Sequence, residues 1–541
     1  DDALLKVYNV PVFYFPKFFH PDPSVNRQSG FLQPKLSNSK TLGNSFSLPY
    51  FHVISENKDY TFKPTFFDKN SQMYQAEYRQ ENKNSSFIGD FGITNKFKSS
   101  ETKEENSISH IFADFDLNLN LENFDYSKMS FSVEKVSKDT YLKLFDNILS
   151  NTELKPVNDN ILTSEATLVL NNEKFDFNLG MSAYEDLQKP SSDRYQFIFP
   201  YYDFSTNLFS NNNGILDFNS SGSNDLKDTN NLKTRVINDI NFSSLDKIFY
   251  DYGNITNFEF LFKNTNIVAN NDSQYDTNPD YNLHGMFVFN SSIPFVKQRN
   301  DYLSSFTPKI SLRVNPGNMN NNYESDRVIT TSNIFSTNRL ALDETLESGK
   351  SITYGVDYRT ENLNDTGRYT ELSLASVFRD VEEKDIPKKT TLNKKYSNIF
   401  GSVDHSISSF LDIGYNFSVN NDLDQLDYNA LAFNVSVNNF VTKFNFIEEN
   451  NIMGDASSIE NTTSYNFDDK NFLTFKTRRN KKINLTEYYD LIYEYKNDCL
   501  TAGIKYKKTY YEDRDLKPSE DLMFSITLIP LTSIDQKISQ N

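Results

Sequence analysis

The residues able to do chemistry are few and scattered. Five histidines (His20, His52, His110, His284 and His405) stand apart, none at a spacing that sets several ligands around one metal. They are expected at individual surface or luminal positions, with no metal site. Asp404-His405 sets an acid beside a base, but neighbours on a strand point to opposite faces. Gly349-Lys350-Ser351 has the ending of a phosphate-binding loop, yet Glu344 stands where that loop needs its first glycine. With 73 Asp and Glu in the chain, close carboxylate pairs arise by chance. No catalytic constellation emerges and no cofactor is expected, so the enzymatic reading, a membrane lipase or protease, is disfavoured. Cys499 is the single cysteine. It is either inert or half of a bridge to a thiol outside this sequence.

The elements that carry these residues have a period of two. Phe115, Leu117, Leu119 and Leu121 alternate with Asp116, Asn118, Asn120 and Glu122. Phe175, Phe177, Leu179, Met181 and Ala183 alternate with Asp176, Asn178, Gly180 and Ser182. The pattern returns at Ile413–Val419, at Leu431–Val437 and at Leu522, Phe524, Ile526 and Leu528. A strand sends successive side chains to opposite faces, so each run has one apolar and one polar face. Segments dense in Asn, Asp, Ser and Gly lie between them, at 210–213, 219–231, 264–282 and 315–322, and read as loops.

Composition narrows the class. Hydrophobic residues are 37% of 541, yet aromatics reach 15%, with 47 Phe, 32 Tyr and no Trp. Disordered chains are poor in aromatics, whereas many half-buried strands need them. The net charge of −18 argues against nucleic acid as a partner. No stretch has the roughly 18 apolar residues of a membrane-crossing helix, so any crossing must be a closed barrel, the other fold that satisfies its backbone in lipid. At about twenty residues per strand and connection the chain supplies roughly 25 strands. That is too many for a sandwich, and the repeats of a propeller are missing. The expectation is an all-β chain forming one large transmembrane antiparallel barrel of about 26 strands. The absence of an initiator Met and of an apolar leader suggests a piece of a longer secreted chain.

An ordered series of motifs adds a more specific signal. It begins with Pro11-Val-Phe-Tyr-Phe-Pro16, His20-Pro-Asp-Pro23, Ser29-Gly-Phe-Leu-Gln-Pro34, Ser47-Leu-Pro49-Tyr-Phe51 and Asp59-Tyr-Thr-Phe-Lys-Pro64-Thr65. Phe131–Tyr141, Arg235–Asn241, Ser332–Leu340, Tyr511–Asp515 and Leu522–Leu528 continue it. In order and spacing the series resembles the LPS-assembly protein LptD family, most of all its alphaproteobacterial branch. The resemblance implies a periplasmic β-jelly-roll followed by a twenty-six-stranded barrel in the outer membrane. Residues 1–25 would end the jelly-roll and link it to a barrel of 26–541, with the N-terminal part in the periplasm. It further implies lipopolysaccharide as cargo, an LptA-like periplasmic bridge that delivers it, an LptE-like lipoprotein that plugs the barrel, and release into outer-membrane lipid.

Pro34 and Pro49 fall in the first two expected barrel strands. Proline gives no N–H to a ladder and belongs at strand ends, edges or bulges. In hydrocarbon no solvent replaces the lost bond. From the residues alone, a strand end or bulge and a weakened seam are equally good readings. The resemblance favours the seam: both match the family's gate prolines, between a first strand of about 30–40 carrying Gly30 and Phe31 and a last strand of about 522–529. It also matches Cys499 to a cysteine bridged to the periplasmic domain, although that family often has two adjacent cysteines there. A general porin or solute channel is the alternative; it shares the barrel without needing prolines at a seam.

Overall fold

The computed structural model describes residues 3–7, 10–15, 27–32, 34–39, 41–98, 105–149, 152–190, 192–249, 253–408, 410–496, 500–510, 516 and 518–528. Ala3–Val7 and Val10–Phe15 pair antiparallel as a sheet of their own. All other strands close into one antiparallel barrel. Four of them are each interrupted once: 30–39, 43–55, 231–249 and 280–299. Thirty strand segments therefore make the expected twenty-six strands. No described helix is long and apolar enough to cross a membrane.

The barrel is inside out relative to a water-soluble protein, because its apolar side chains are the exposed ones. Ile93, Ile111, Phe131 and Met181 are 44–52% exposed, while Asp90, Thr94, His110 and Ser182 on the opposite face are at most 1% exposed. An apolar outer band around a polar interior is the pattern a bilayer demands of a closed sheet. The alternating runs at 175–183, 413–419 and 431–437 lie in strands Phe175–Asp186, Leu411–Val419 and Leu426–Val437. The run from Phe115 leaves its strand at Asn118.

Three of the segments expected to be loops are corrected in part. Strands reach Asn211, Lys227 and Asn270, and the next begin at Gly214, Asn231 and Asp280, so most of 219–231 and part of 264–282 are strand. Their polar residues line the lumen and bond across strands. Ser220 Oγ donates to Asn238 at 2.8 Å, and Asn238 Nδ2 to Asn264 at 3.1 Å. Turn-forming residue types are strand residues where the inner face is wet and hydrogen-bonded. Some glycines make room on that face. A Cβ at Gly92 would come within 2.2 Å of the His110 ring, and one at Gly180 within 2.3 Å of Tyr201.

The barrel's two ends differ. At the end that holds residues 30 and 528, connections are short, such as 56–57, 212–213, 300–301 and 438–439. At the other end lie 137–160, 316–348 and 380–398. All three fold back onto the wall. The first carries two short helices, α1 (Tyr141–Leu144) and α2 (Asp146–Leu149), whose Leu142, Phe145 and Leu149 are fully buried. They pack with Leu42, Phe67, Met73 and Phe112 of the wall. The second buries Ile329, Ile334 and Leu340 against Val377 and Phe400.

Candidate functional site

The candidate site is the seam where the first strand meets the last. Lys35–Ser39 pairs with Glu520–Leu528 through Ser39↔Asp521, Asn38↔Leu522, Ser37↔Met523 and Leu36↔Phe524, and the ladder stops there among the described residues. The last strand runs on to Leu528, still paired on its other side through Ala502↔Ile526 and Leu500↔Leu528. Beyond Leu36↔Phe524 it has no described partner on the first strand.

Pro34 lies two residues past the final pair and is exposed. It also divides the first strand, whose other segment is Gly30–Phe31. The second strand breaks at the matching height, between Gly43–Ser47 and Tyr50–Ser55, and Pro49 is buried there. Lys35–Ser39 follows one register against Ser47–Gly43. Gly30 and Phe31 face Phe51 and Tyr50, one residue out of step with it. The structure thus places a paired break with a register slip at both prolines. One bond crosses beside it, from Leu32 N–H to the Pro49 carbonyl at 2.8 Å. Phe31 packs edge-on to Tyr50 at 5.1 Å and is 67% exposed. Leu522 is half-buried and Phe524 exposed on the outer face of the last strand, with Ile526 and Leu528 further along the same strand. Cys499 lies outside the described residues, as does His20.

The inner side of the seam holds groups that sequence reasoning missed. Ser37 and Ser45 bond at 2.5 Å across the first two strands. Above them α2 crosses the lumen side, and Asp146 takes Lys155 at 2.6 Å and Lys507 of the penultimate strand (Leu500–Thr509) at 2.8 Å. Burial raises the Asp146 pKa, but Lys507 and Lys155 outweigh it and hold the carboxyl well below the usual range. A sequence signal existed: Tyr141, Leu142, Phe145 and Leu149 follow a helical rather than a two-residue spacing.

Under the second long connection, Glu347 meets Arg339 at 2.6 Å, Arg379 at 2.5 Å and Arg313 at 3.1 Å, all nearly fully buried. Burial raises the Glu347 pKa, and the three guanidinium groups outweigh that and drive it far down. Of the histidines, His110 and His284 are buried. His110 Nδ1 bonds the Tyr141 hydroxyl at 2.7 Å, and His405 Nδ1 bonds Thr370 at 2.9 Å. No group of three or more metal-ligating side chains converges among the described residues.

Fold and wall chemistry define the class: a large β-barrel of the outer-membrane type, with a polar lumen and, among the described residues, a short first-to-last-strand ladder. Comparison with known proteins gives the particular likeness. The chain is 37% identical over 78 residues to the LPS-assembly protein LptD of Ectopseudomonas mendocina (strain ymp), covering 14% of this chain and 8% of that protein. It is 39% identical over 79 residues to LptD of Polaromonas sp., covering 15% and 10%. With LptD of Mannheimia succiniciproducens it shares 27% identity over 222 residues, covering 40% and 26%. The expected resemblance is therefore present, and the matched stretches span about a tenth to a quarter of those relatives' length. No family model matches the chain. The solved structure of the FrpB iron transporter from Neisseria meningitidis superposes with a TM-score of 0.33 at 6% identity, over 93% of this chain and 81% of that one.

Proposed function

We propose that this chain is the exit barrel of a lipopolysaccharide translocon in the outer membrane, releasing its cargo sideways between the first and last strands. One observation carries the reading: the first-to-last-strand ladder has four described pairs and stops two residues short of Pro34, with the second strand broken alongside at Pro49. A wall that must part is cheapest to open where fewest backbone bonds are lost, and in hydrocarbon each such bond counts for more than in water. The gate would comprise Pro34, Pro49, Gly30, Phe31, Leu522, Phe524, Ile526 and Leu528. The likeness to LptD supplies the cargo. It also supplies the remaining parts of the proposal: an LptE-like plug in the lumen, an LptA-like bridge below, and residues 1–25 ending a periplasmic jelly-roll. In the same proposal Cys499 is bridged to that upstream domain.

The test is the double variant Pro34→Ala/Pro49→Ala. Two restored N–H groups let the ladder continue, each new bond adding about 1 kcal/mol. Delivery of newly made lipopolysaccharide to the cell surface should slow about tenfold, while barrel assembly is retained. Delivery at the unaltered rate would remove the prolines from the mechanism.

A further inference from the structure

The connection 137–160 does more than fill the lumen; it spans the inner side of the seam. On one flank it is fixed to the strands that follow the first. The Tyr141 hydroxyl bonds His110 on Glu105–Asn118, and Thr152 accepts from Gln75 on Gln72–Glu81 at 3.0 Å. The Phe145 ring lies 6.3 Å from Phe67 on Lys58–Phe67. On the other flank the Asp146–Lys507 pair reaches the strand before the last, joining residues 361 positions apart. Between these anchors α1 and α2 lie over Ser37, Ser39, Ser45 and Asp521, with which they line one small cavity. Ser39 and Asp521 are themselves the outermost pair of the seam ladder.

We infer that residues 137–149 of this connection are a latch: tied by an apolar anchor on one side of the seam and by the Asp146–Lys507 pair on the other, they hold the laddered half closed from within and must release before the seam can part. This rests on the gate reading above. The topology gives the physical reason. Four described ladder pairs alone are a weak closure, whereas separating the first strand from the last also makes the strap let go of one flank, either by breaking the Asp146–Lys507 pair or by pulling Phe145 from its apolar bed. Breaking a partly buried pair by removing one partner leaves the other charge uncompensated. The half of the seam toward the termini, beyond Leu36↔Phe524, has neither described ladder nor strap. A lipid would enter from that side, and the latch would set when the outer half yields.

The experiment reads closure directly in the full-length protein. Ser37→Cys and Met523→Cys form a register pair on the lumen side, close enough for a disulfide when the seam is shut. The rate of 37–523 disulfide formation under mild oxidant is followed by mass spectrometry of the peptides, with Cys499 left in place and in urea just short of unfolding, where the seam is mostly open and the trapping rate tracks its closed fraction. Asp146→Asn, Lys507→Met and Phe145→Ala should each slow trapping about fivefold, which corresponds to a loss of about 1 kcal/mol. The charge exchange Asp146→Lys/Lys507→Asp, made together with Lys155→Gln so that the new lysine meets no like charge, should recover most of the rate. An unchanged rate in all three single variants overturns the latch. So does a slowed rate that the charge exchange fails to recover, since general loss of luminal packing would give that result. The gate reading is judged separately, by whether the locked 37–523 protein stops delivering lipopolysaccharide. A lock that halts delivery beside an unaltered trapping rate sinks the latch and keeps the gate.

Discussion

Glu347 is one carboxylate among three buried guanidinium groups, and the arrangement is built to pin a long connection rather than to react. Arg313 comes from the strand before it (Tyr302–Asn315), Arg379 from a strand beyond it (Arg368–Arg379), and Arg339 from the connection itself. Each arginine also donates to a main-chain carbonyl of the connection, Arg313 to Ser336 at 2.7 Å, Arg339 to Ile334 and Arg379 to Ser348. Removing the single anion leaves three cations facing one another away from water. Glu347→Gln should therefore cost about 3–5 kcal/mol of barrel stability, read as a fall in the temperature at which the barrel loses its compact electrophoretic form. Lys389→Ala, which breaks an exposed pair with Asp326 (79% exposed), should cost under about 1 kcal/mol. Equal effects would mean that the buried cluster does not hold the connection. None of this was legible in the sequence. Arg313, Arg339, Glu347 and Arg379 are spread over 67 positions, and only the pairing of three successive strands with the fold-back of the connection brings them together. Pro34 and Pro49 were legible because a missing N–H is a local property that acts wherever the residue lands.

At the scale of elements, what could be read followed from periodicity and what could not followed from the wet lumen. Strands such as Phe175–Asp186 declared themselves by one apolar face. Gly214–Lys227 did not, since its inner Ser and Asn residues have the composition of a turn and are stabilised by partners on neighbouring strands. The strap was obscured for a related reason: its few helical positions sit in a chain where strands are the rule. Its ion pair makes a prediction about pH. The docked Asp146 carboxyl is held below its ordinary value of 3.8, whereas undocked it titrates near that value. A depressed carboxylate contributes its full stabilisation above the undocked value, and this fades as pH falls from there toward the docked value. Spin labels at Glu153→Cys on the strap and Ile483→Cys on another connection at the same end of the barrel should give one narrow distance from about pH 8 down to about pH 4. Broadening should begin only below that. A transition near pH 6 would show that some other group controls docking.

For the whole molecule, the unequal ends set orientation. An even number of strands puts residues 30 and 528 at the same end, and every connection there is short, while the three longest lie opposite. Short turns on the periplasmic side and long loops on the cell surface are the rule for bacterial barrels. The outward delivery proposed for this seam would require the same sense: the half near the termini, which has no described ladder, would face the supply, and the strapped half the surface. Orientation can be measured without reference to cargo. Ile483 is 64% exposed in a connection at the long-loop end. Lys83 is exposed in the turn 82–84 at the other end. In intact cells a membrane-impermeant maleimide should label Ile483→Cys fully and Lys83→Cys only after the outer membrane is permeabilised, with the unaltered chain as the blank for Cys499. The reverse pattern would point the strap at the periplasm and the open half of the seam at the cell surface. A lipid entering from below would then meet the latch first, and both the direction of transport and the place of the strap in it would have to be abandoned together.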